Sequence, residues 1–118
     1  MLGKVLVVDD AAYVRTKTVR LLNEYGYETV EAGDGAEAVR KYKAARPDVV
    51  LMDITMPVMD GVQAVREIRK EDPNARIVMC SALGQQSMII EALKAGARDF
   101  IVKPYQSDRL LAAVQKLL

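Results

Sequence analysis

Four short apolar runs in this chain each end on a side chain that can do chemistry. Val5-Leu6-Val7-Val8 leads into Asp9-Asp10, Val49-Val50-Leu51-Met52 into Asp53, Ile77-Val78-Met79-Cys80 into Ser81, and Phe100-Ile101-Val102 into Lys103. Three carboxylates gathered at one edge repel each other. At about 4 Å, each like-charged pair costs on the order of 4 kcal/mol at an effective dielectric of 20. Such a cluster calls for a cation. Oxygen donors with no His or Cys select a hard ion, and Mg²⁺ suits them because it keeps waters and accepts phosphate oxygens. Lys103 adds a fixed positive charge and Ser81 a hydroxyl donor. Carboxylate, Mg²⁺, ammonium and hydroxyl together make a phosphoryl-transfer site, with a nucleophile, a charge clamp and a positioning donor. Singly, each residue has a plainer use: an Asp at a strand end caps or turns the chain, a Lys before Pro is solvated, and Ser81 caps the helix that follows. The combination carries the reading.

The elements that must position these groups follow from periodicity. Strands are predicted over residues 4–8, 27–31, 49–52, 76–80 and 99–102, and helices over about 12–24, 36–45, 61–70, 87–95 and 107–117. The first strand is apolar on consecutive positions, as in a strand covered on both faces. The second alternates polar and apolar through Tyr27-Glu28-Thr29-Val30-Glu31, which suits an edge. In the last helix Leu110, Ala113, Val114 and Leu117 recur at helical spacing, and Ser107-Asp108 reads as its cap. Gly26 and Gly96 are placed to end helices in the left-handed conformation, and Pro47, Pro73 and Gly33-Asp34-Gly35 mark turns. Alternating strands and helices predict right-handed crossovers and a doubly wound parallel α/β sheet. Such sheets bind ligands at the carboxyl ends of their strands, where the four reactive ends would meet. Neither G-x-G-x-x-G nor a P-loop is present.

Composition narrows the alternatives. A chain of 118 residues is one domain's length, so no output domain is expected. With 51% hydrophobic and 28% charged residues it can build a core and a solvated skin. A net charge of +1 argues against nucleic acid as a partner. No apolar run approaches the ~20 residues of a membrane span, and no secretory leader is recognisable, which with a single Cys fits the cytoplasm. The absence of His excludes imidazole triads, and one Cys excludes cysteine-based zinc sites. Cys80 is read as a small buried hydrophobe, the methionines as packing, and Lys17, Arg20, Arg40, Lys41, Arg66, Arg69 and Lys70 as solvated helix faces.

Val7-Val8-Asp9-Asp10, Met52-Asp53-Ile54-Thr55-Met56-Pro57-Val58-Met59-Asp60-Gly61, Ser81-Ala82 and Val102-Lys103-Pro104 resemble, in order and spacing along the whole chain, the signature of two-component response-regulator receiver domains, most of all the single-domain chemotaxis type. The resemblance, rather than the spacing, implies a flavodoxin-like sheet of order 2-1-3-4-5 with five helices. It also implies that Asp53 accepts a phosphoryl group from a sensor histidine kinase in a Mg²⁺-dependent reaction, without turnover of an external substrate. Asp10 would hold Mg²⁺ directly and Asp9 at least partly through water, with Asp53 and the backbone carbonyl of Thr55 completing the set. Lys103 would pair with one phosphoryl oxygen and Ser81 with another. Pro104 would follow a cis peptide, Pro57 and Gly61 would shape the adjoining loop, and Thr55 and Leu83 would neighbour the hydrolytic water.

Output would be a changed surface on helix four, strand five and helix five. Phe100 stands where relatives often carry Tyr. Met88-Ile89-Ile90 sweep ~200° of a helix, so at least one must face solvent, and Ile89 is predicted to do so. With Phe100, Tyr105 and Lys94 it would form a docking patch for the flagellar motor switch. The alternative is a phosphorelay carrier that passes phosphate to a histidine phosphotransfer protein; a phosphatase is a further expected partner. Helix one, from Ala12 and Tyr13 to Arg15 and Thr16, would meet the kinase. A haloacid-dehalogenase-like phosphatase would need D-x-D-x-[TV], which Asp9-Asp10-Ala11 does not supply. A flavodoxin-like cofactor site would need a Ser/Thr/Gly-rich first loop, whereas Asp9-Asp10 would repel a phosphate.

Overall fold

A computed structural model describes residues 2–118. Five strands and five helices alternate: β1 Lys4–Val8, α1 Ala12–Glu24, β2 Glu28–Ala32, α2 Gly35–Ala45, β3 Val49–Asp53, α3 Gly61–Glu71, β4 Ile77–Ser81, α4 Gln86–Ala95, β5 Asp99–Val102 and α5 Ser107–Leu117. The sheet is wholly parallel, in the order β2-β1-β3-β4-β5 that the resemblance implies. No described helix is long and apolar enough to cross a membrane.

The consecutive apolar residues of β1 do what a doubly covered strand requires. Leu6 and Val8 join a core shared with α2, α3 and α4, while Val5 and Val7 join a second core with α1 and α5. β2 lies at the edge, with Glu28 and Glu31 exposed and Ala32 buried. β3 and β4 each run one residue beyond the predicted ends, because the parallel ladder continues through the pairs Asp53–Cys80 and Ser81–Val102. Asp53 and Ser81 are therefore the last residues of strands, held by the sheet itself.

Local chemistry sets the helix starts. Asp34 caps α2 by accepting the Glu37 N–H at 2.8 Å, and the Glu37 carboxylate reaches back to the Gly33 N–H at 2.6 Å. Asp60 caps α3 through the Gln63 N–H at 2.9 Å. α5 departs from expectation: Ser107 is already inside the helix, the Gln106 carbonyl takes the first helical bond from Leu110, and neither Ser107 nor Asp108 caps it. Gly26 and Gly96 end α1 and α4 at positive φ, as read.

The phase of α4 corrects the prediction for Ile89. Ile89 is only 8% exposed and packs with Ala92 into the core, whereas Ile90 (52%) and Leu93 (38%) face outward. Three consecutive apolar residues leave the phase open; the buried Ala92, three positions on, settles it. Ile89→Asp would bury an unpaired carboxylate and is expected to cost on the order of 3 kcal/mol or more. Ile90→Asp should leave stability within about 0.5 kcal/mol of the parent. Urea midpoints of the two variants measure the contrast, and equal midpoints would refute the assigned phase.

Candidate functional site

The carboxyl ends of β1, β3 and β5 bring four charged side chains together. Asp9 and Asp53 are buried and Asp10 is exposed, and carboxylate oxygens of all three lie within 4.8 Å of one another. Lys103 reaches in from the end of β5. Its Nζ lies 2.8 Å from Asp9 Oδ2 and 3.2 Å from Asp53 Oδ1. Backbone donors complete the cradle: Ala11 N–H to Asp9 Oδ1 at 2.9 Å and Ile54 N–H to Asp53 Oδ1 at 3.0 Å.

Burial pushes the Asp53 carboxyl up, the Lys103 ammonium pulls it back, and the neighbouring Asp9 charge adds to the rise, leaving it at about 6. Burial also works against the charge on Lys103. The hydrogen bond to Asp9 and the charges of Asp53 and Asp9 outweigh that and hold the ammonium above its ordinary value. One ammonium facing three carboxylates leaves the cluster short of positive charge. Oxygen-only donors with excess negative charge fit a hard divalent cation, and the residues present suit Mg²⁺. Cys80 is buried, and burial pushes its thiol up to about 12, so it stays a neutral packing group as read.

Not every candidate touches the cluster. Ser81 is fully buried, and its hydroxyl points to the Ile101 carbonyl of β5 at 3.5 Å rather than to a carboxylate. Thr55 lies in the exposed loop after β3, its Oγ1 accepting from Gln85 Nε2 at 2.8 Å. Gln85, which the sequence reading passed over, also accepts the Ala82 N–H at 2.7 Å and so straps together the loops after β3 and β4. It occupies the N-cap position of α4, where Ser, Thr, Asp or Asn is usual, and that departure was the available signal. Arg15 was read as part of a kinase-facing surface. It is half-buried, donating to the Asp9 carbonyl at 2.6 Å and pairing with the exposed Glu31 at 3.1 Å, and Tyr13 is exposed. The Lys103–Pro104 peptide is cis.

The apolar surface beside the site is a groove of about 360 Å³ lined by Leu83, Ile90, Leu93, Phe100 and Val102. Phe100, 37% exposed, faces it from the edge strand. Ile90 takes the place predicted for Ile89. Tyr105 sits beyond β5, in an adjoining groove with Phe100 and Arg109, and its hydroxyl turns inward to Thr18.

The response regulator receiver domain matches residues 5–115. The chain is 56% identical to chemotaxis protein CheY of Bacillus subtilis, covering 100% of this chain and 99% of that protein. It is also 56% identical to CheY of Thermotoga maritima, covering 97% and 96%. Among solved structures, it superposes on the CheX–CheY–BeF3–Mg²⁺ complex of Borrelia burgdorferi with a TM-score of 0.90 at 38% identity, over 97% of this chain and 87% of that one.

Proposed function

The chain belongs to the response regulator receiver domain family, and on that footing we propose that it is a chemotaxis receiver whose Asp53 accepts a phosphoryl group from a sensor histidine kinase. One observation carries this reading: the Lys103 ammonium lies between two buried carboxylates, with a third beside them, at the carboxyl edge of the sheet. An Asp53 oxygen attacks phosphorus, the P–N bond to the donor imidazole breaks, and its electron pair stays on the nitrogen. The product is an acyl phosphate. Asp10, Asp53, the Thr55 carbonyl and Asp9 would hold Mg²⁺, which would supply positive charge to the phosphoryl oxygens. Lys103 is already within reach of Asp53, so a small movement of its ammonium pairs it with a phosphoryl oxygen.

The new group brings about −1.5 to −2 charge at neutral pH. That charge draws the Ser81 hydroxyl away from the Ile101 carbonyl and pulls the loop after β4 with it. The groove at Ile90, Leu93 and Phe100 borders this loop, so its shape changes with phosphorylation. The flagellar motor switch is the proposed occupant of that groove. A phosphatase is a second proposed partner, and the solved complex of a related CheY with CheX supports a further protein partner for this chain. Loss of the phosphoryl group to water is the protein's own reset.

The test is the intact mass after treatment with phosphoramidate. With Mg²⁺ the chain should gain one hydroxylamine-labile phosphoryl group; without it the mass should stay unchanged. Turnover of a phosphate ester with no protein adduct would overturn the reading. The rate also carries a pH signature. Asp53 is a nucleophile only when ionised, so at low Mg²⁺ the rate should fall as pH drops through about 6. Metal and proton compete for the same carboxylate, so raising Mg²⁺ should move that midpoint downward. A midpoint indifferent to Mg²⁺ would separate Asp53 from the metal site.

A further inference from the structure

We infer that Tyr105 is a positioning residue for Lys103, acting through the hydrogen bond between its hydroxyl and that of Thr18 on α1. The inference rests on the receiver reading above. Tyr105 Oη lies 2.7 Å from Thr18 Oγ1. Thr18 is 5% exposed, a polar side chain on the inward face of an amphipathic helix whose other buried residue is Leu22. A buried hydroxyl left without a partner is destabilising, so each of the two groups accounts for the other.

The bond adds a directional tie to the apolar packing of Tyr105 against the core that Val19, Leu21 and Leu22 of α1 share. Between α1 and the segment after β5 lies a cavity of about 900 Å³, lined by Tyr13, Lys17 and Leu21 on one side and Pro104 and Gln106 on the other. Thr18 and Tyr105 line it as well. Lys103 is fixed by its N–H to the Ser81 carbonyl at 2.7 Å. Only Pro104, with its φ set by the ring, separates Lys103 from Tyr105. The backbone carrying Lys103 is therefore pinned to β4 before the residue and to α1 two residues after it. The ammonium meets Asp9 at 2.8 Å and Asp53 at 3.2 Å, and the two ties set the point from which its four-carbon stem reaches both carboxylates.

The experiment follows the rate of phosphoryl adduct formation from phosphoramidate at fixed Mg²⁺ by intact mass. Tyr105→Phe and Thr18→Val each remove one side of the bond and should slow the reaction about three- to tenfold, the rate equivalent of one lost hydrogen bond. Thr18→Ser keeps the hydroxyl and should restore the parent rate. The Tyr105→Phe, Thr18→Val double variant should be no slower than either single variant, because the two residues make one bond. In a Lys103→Ala chain, already slow, adding Tyr105→Phe should change nothing further. Parent rates in Tyr105→Phe, or an equal slowing with and without Lys103, would overturn the positioning role. Absence of any adduct in the parent chain would overturn the receiver reading itself, and this inference with it.

Discussion

Asp53→Asn is expected to abolish the phosphoryl adduct under every Mg²⁺ and donor condition that labels the parent chain. The amide has the shape of the carboxylate but no anionic oxygen to attack phosphorus, and the other buried carboxylate of the cluster is already engaged. Asp9 is tied to Lys103 and the Ala11 N–H. The same substitution should leave a second signature in stability. Asp53 titrates at about 6 in the folded protein against an ordinary 3.8. A carboxyl raised by folding contributes stability below its unfolded value and loses it as pH rises through the folded one. At pH 7 the ionised Asp53 therefore works against the fold, and Asp53→Asn should stabilise the Mg²⁺-free protein by about 1–2 kcal/mol, discounted from the full shift for partial solvent access. The gain should shrink across the window from about 6 down to 3.8. Added Mg²⁺ should stabilise the parent more than the variant, because a ligand that binds the native state more tightly stabilises it more, with the logarithm of its affinity. Melting curves at two pH values, with and without Mg²⁺, read all of this. An adduct on Asp53→Asn would move the acceptor elsewhere.

The acidic site was legible because its signals are local. Asp9-Asp10, Asp53 and Lys103 each sit directly after an apolar run, and strands buried on both faces announce themselves in consecutive residues such as Val5 to Val8. Doubly wound topology then sends those ends to one edge. The strand order was not legible in this way and came with the family resemblance. What failed to show depended on packing between distant segments. The phase of α4 hung on whether Ile89 or Ile90 met the sheet, and neighbours in sequence could not decide it. The Gln85–Thr55 strap joins residues 30 positions apart and the Thr18–Tyr105 bond residues 87 apart. A side-chain hydrogen bond leaves no periodic trace in the chain, so a lone Thr on a helix reads as neutral and a lone Tyr as surface. Ser107 misled for a different reason. A hydroxyl beside an Asp is a common helix opening, but the Gln106 carbonyl already takes the first helical bond from Leu110.

Gly61→Ala is expected to be among the most damaging small substitutions in the chain, and the reason is a backbone rather than a side chain. Gly61 opens α3 directly against the end of β3, where its N–H donates to the Ile54 carbonyl at 2.7 Å. A Cβ on Gly61 would collide with the carbonyl oxygen of Asp53 and come within 3.0 Å of the Ile54 Cα. Neither atom can rotate away as a side chain could. Relief requires α3 to retreat from β3, which breaks the Gly61–Ile54 bond and loosens Val62 and Val65 in the core, or it requires the peptide after Asp53 to move and carry the carboxylate with it. Overpacking of this kind costs about 3 kcal/mol. The urea midpoint should drop accordingly, and adduct formation should slow even under conditions where the variant remains folded, because the proposed phosphoacceptor and the clashing carbonyl belong to one residue. Gly33→Ala is the control. A Cβ there meets only side-chain atoms of Arg15 and Glu37, at 3.7 and 3.8 Å, and stability should stay within about 0.5 kcal/mol of the parent. If Gly61→Ala melted with the parent and phosphorylated at the parent rate, the close seating of α3 on Asp53 would be wrong. If it lost stability but kept its rate when folded, α3 would be yielding and the strand end would be holding the acceptor in place.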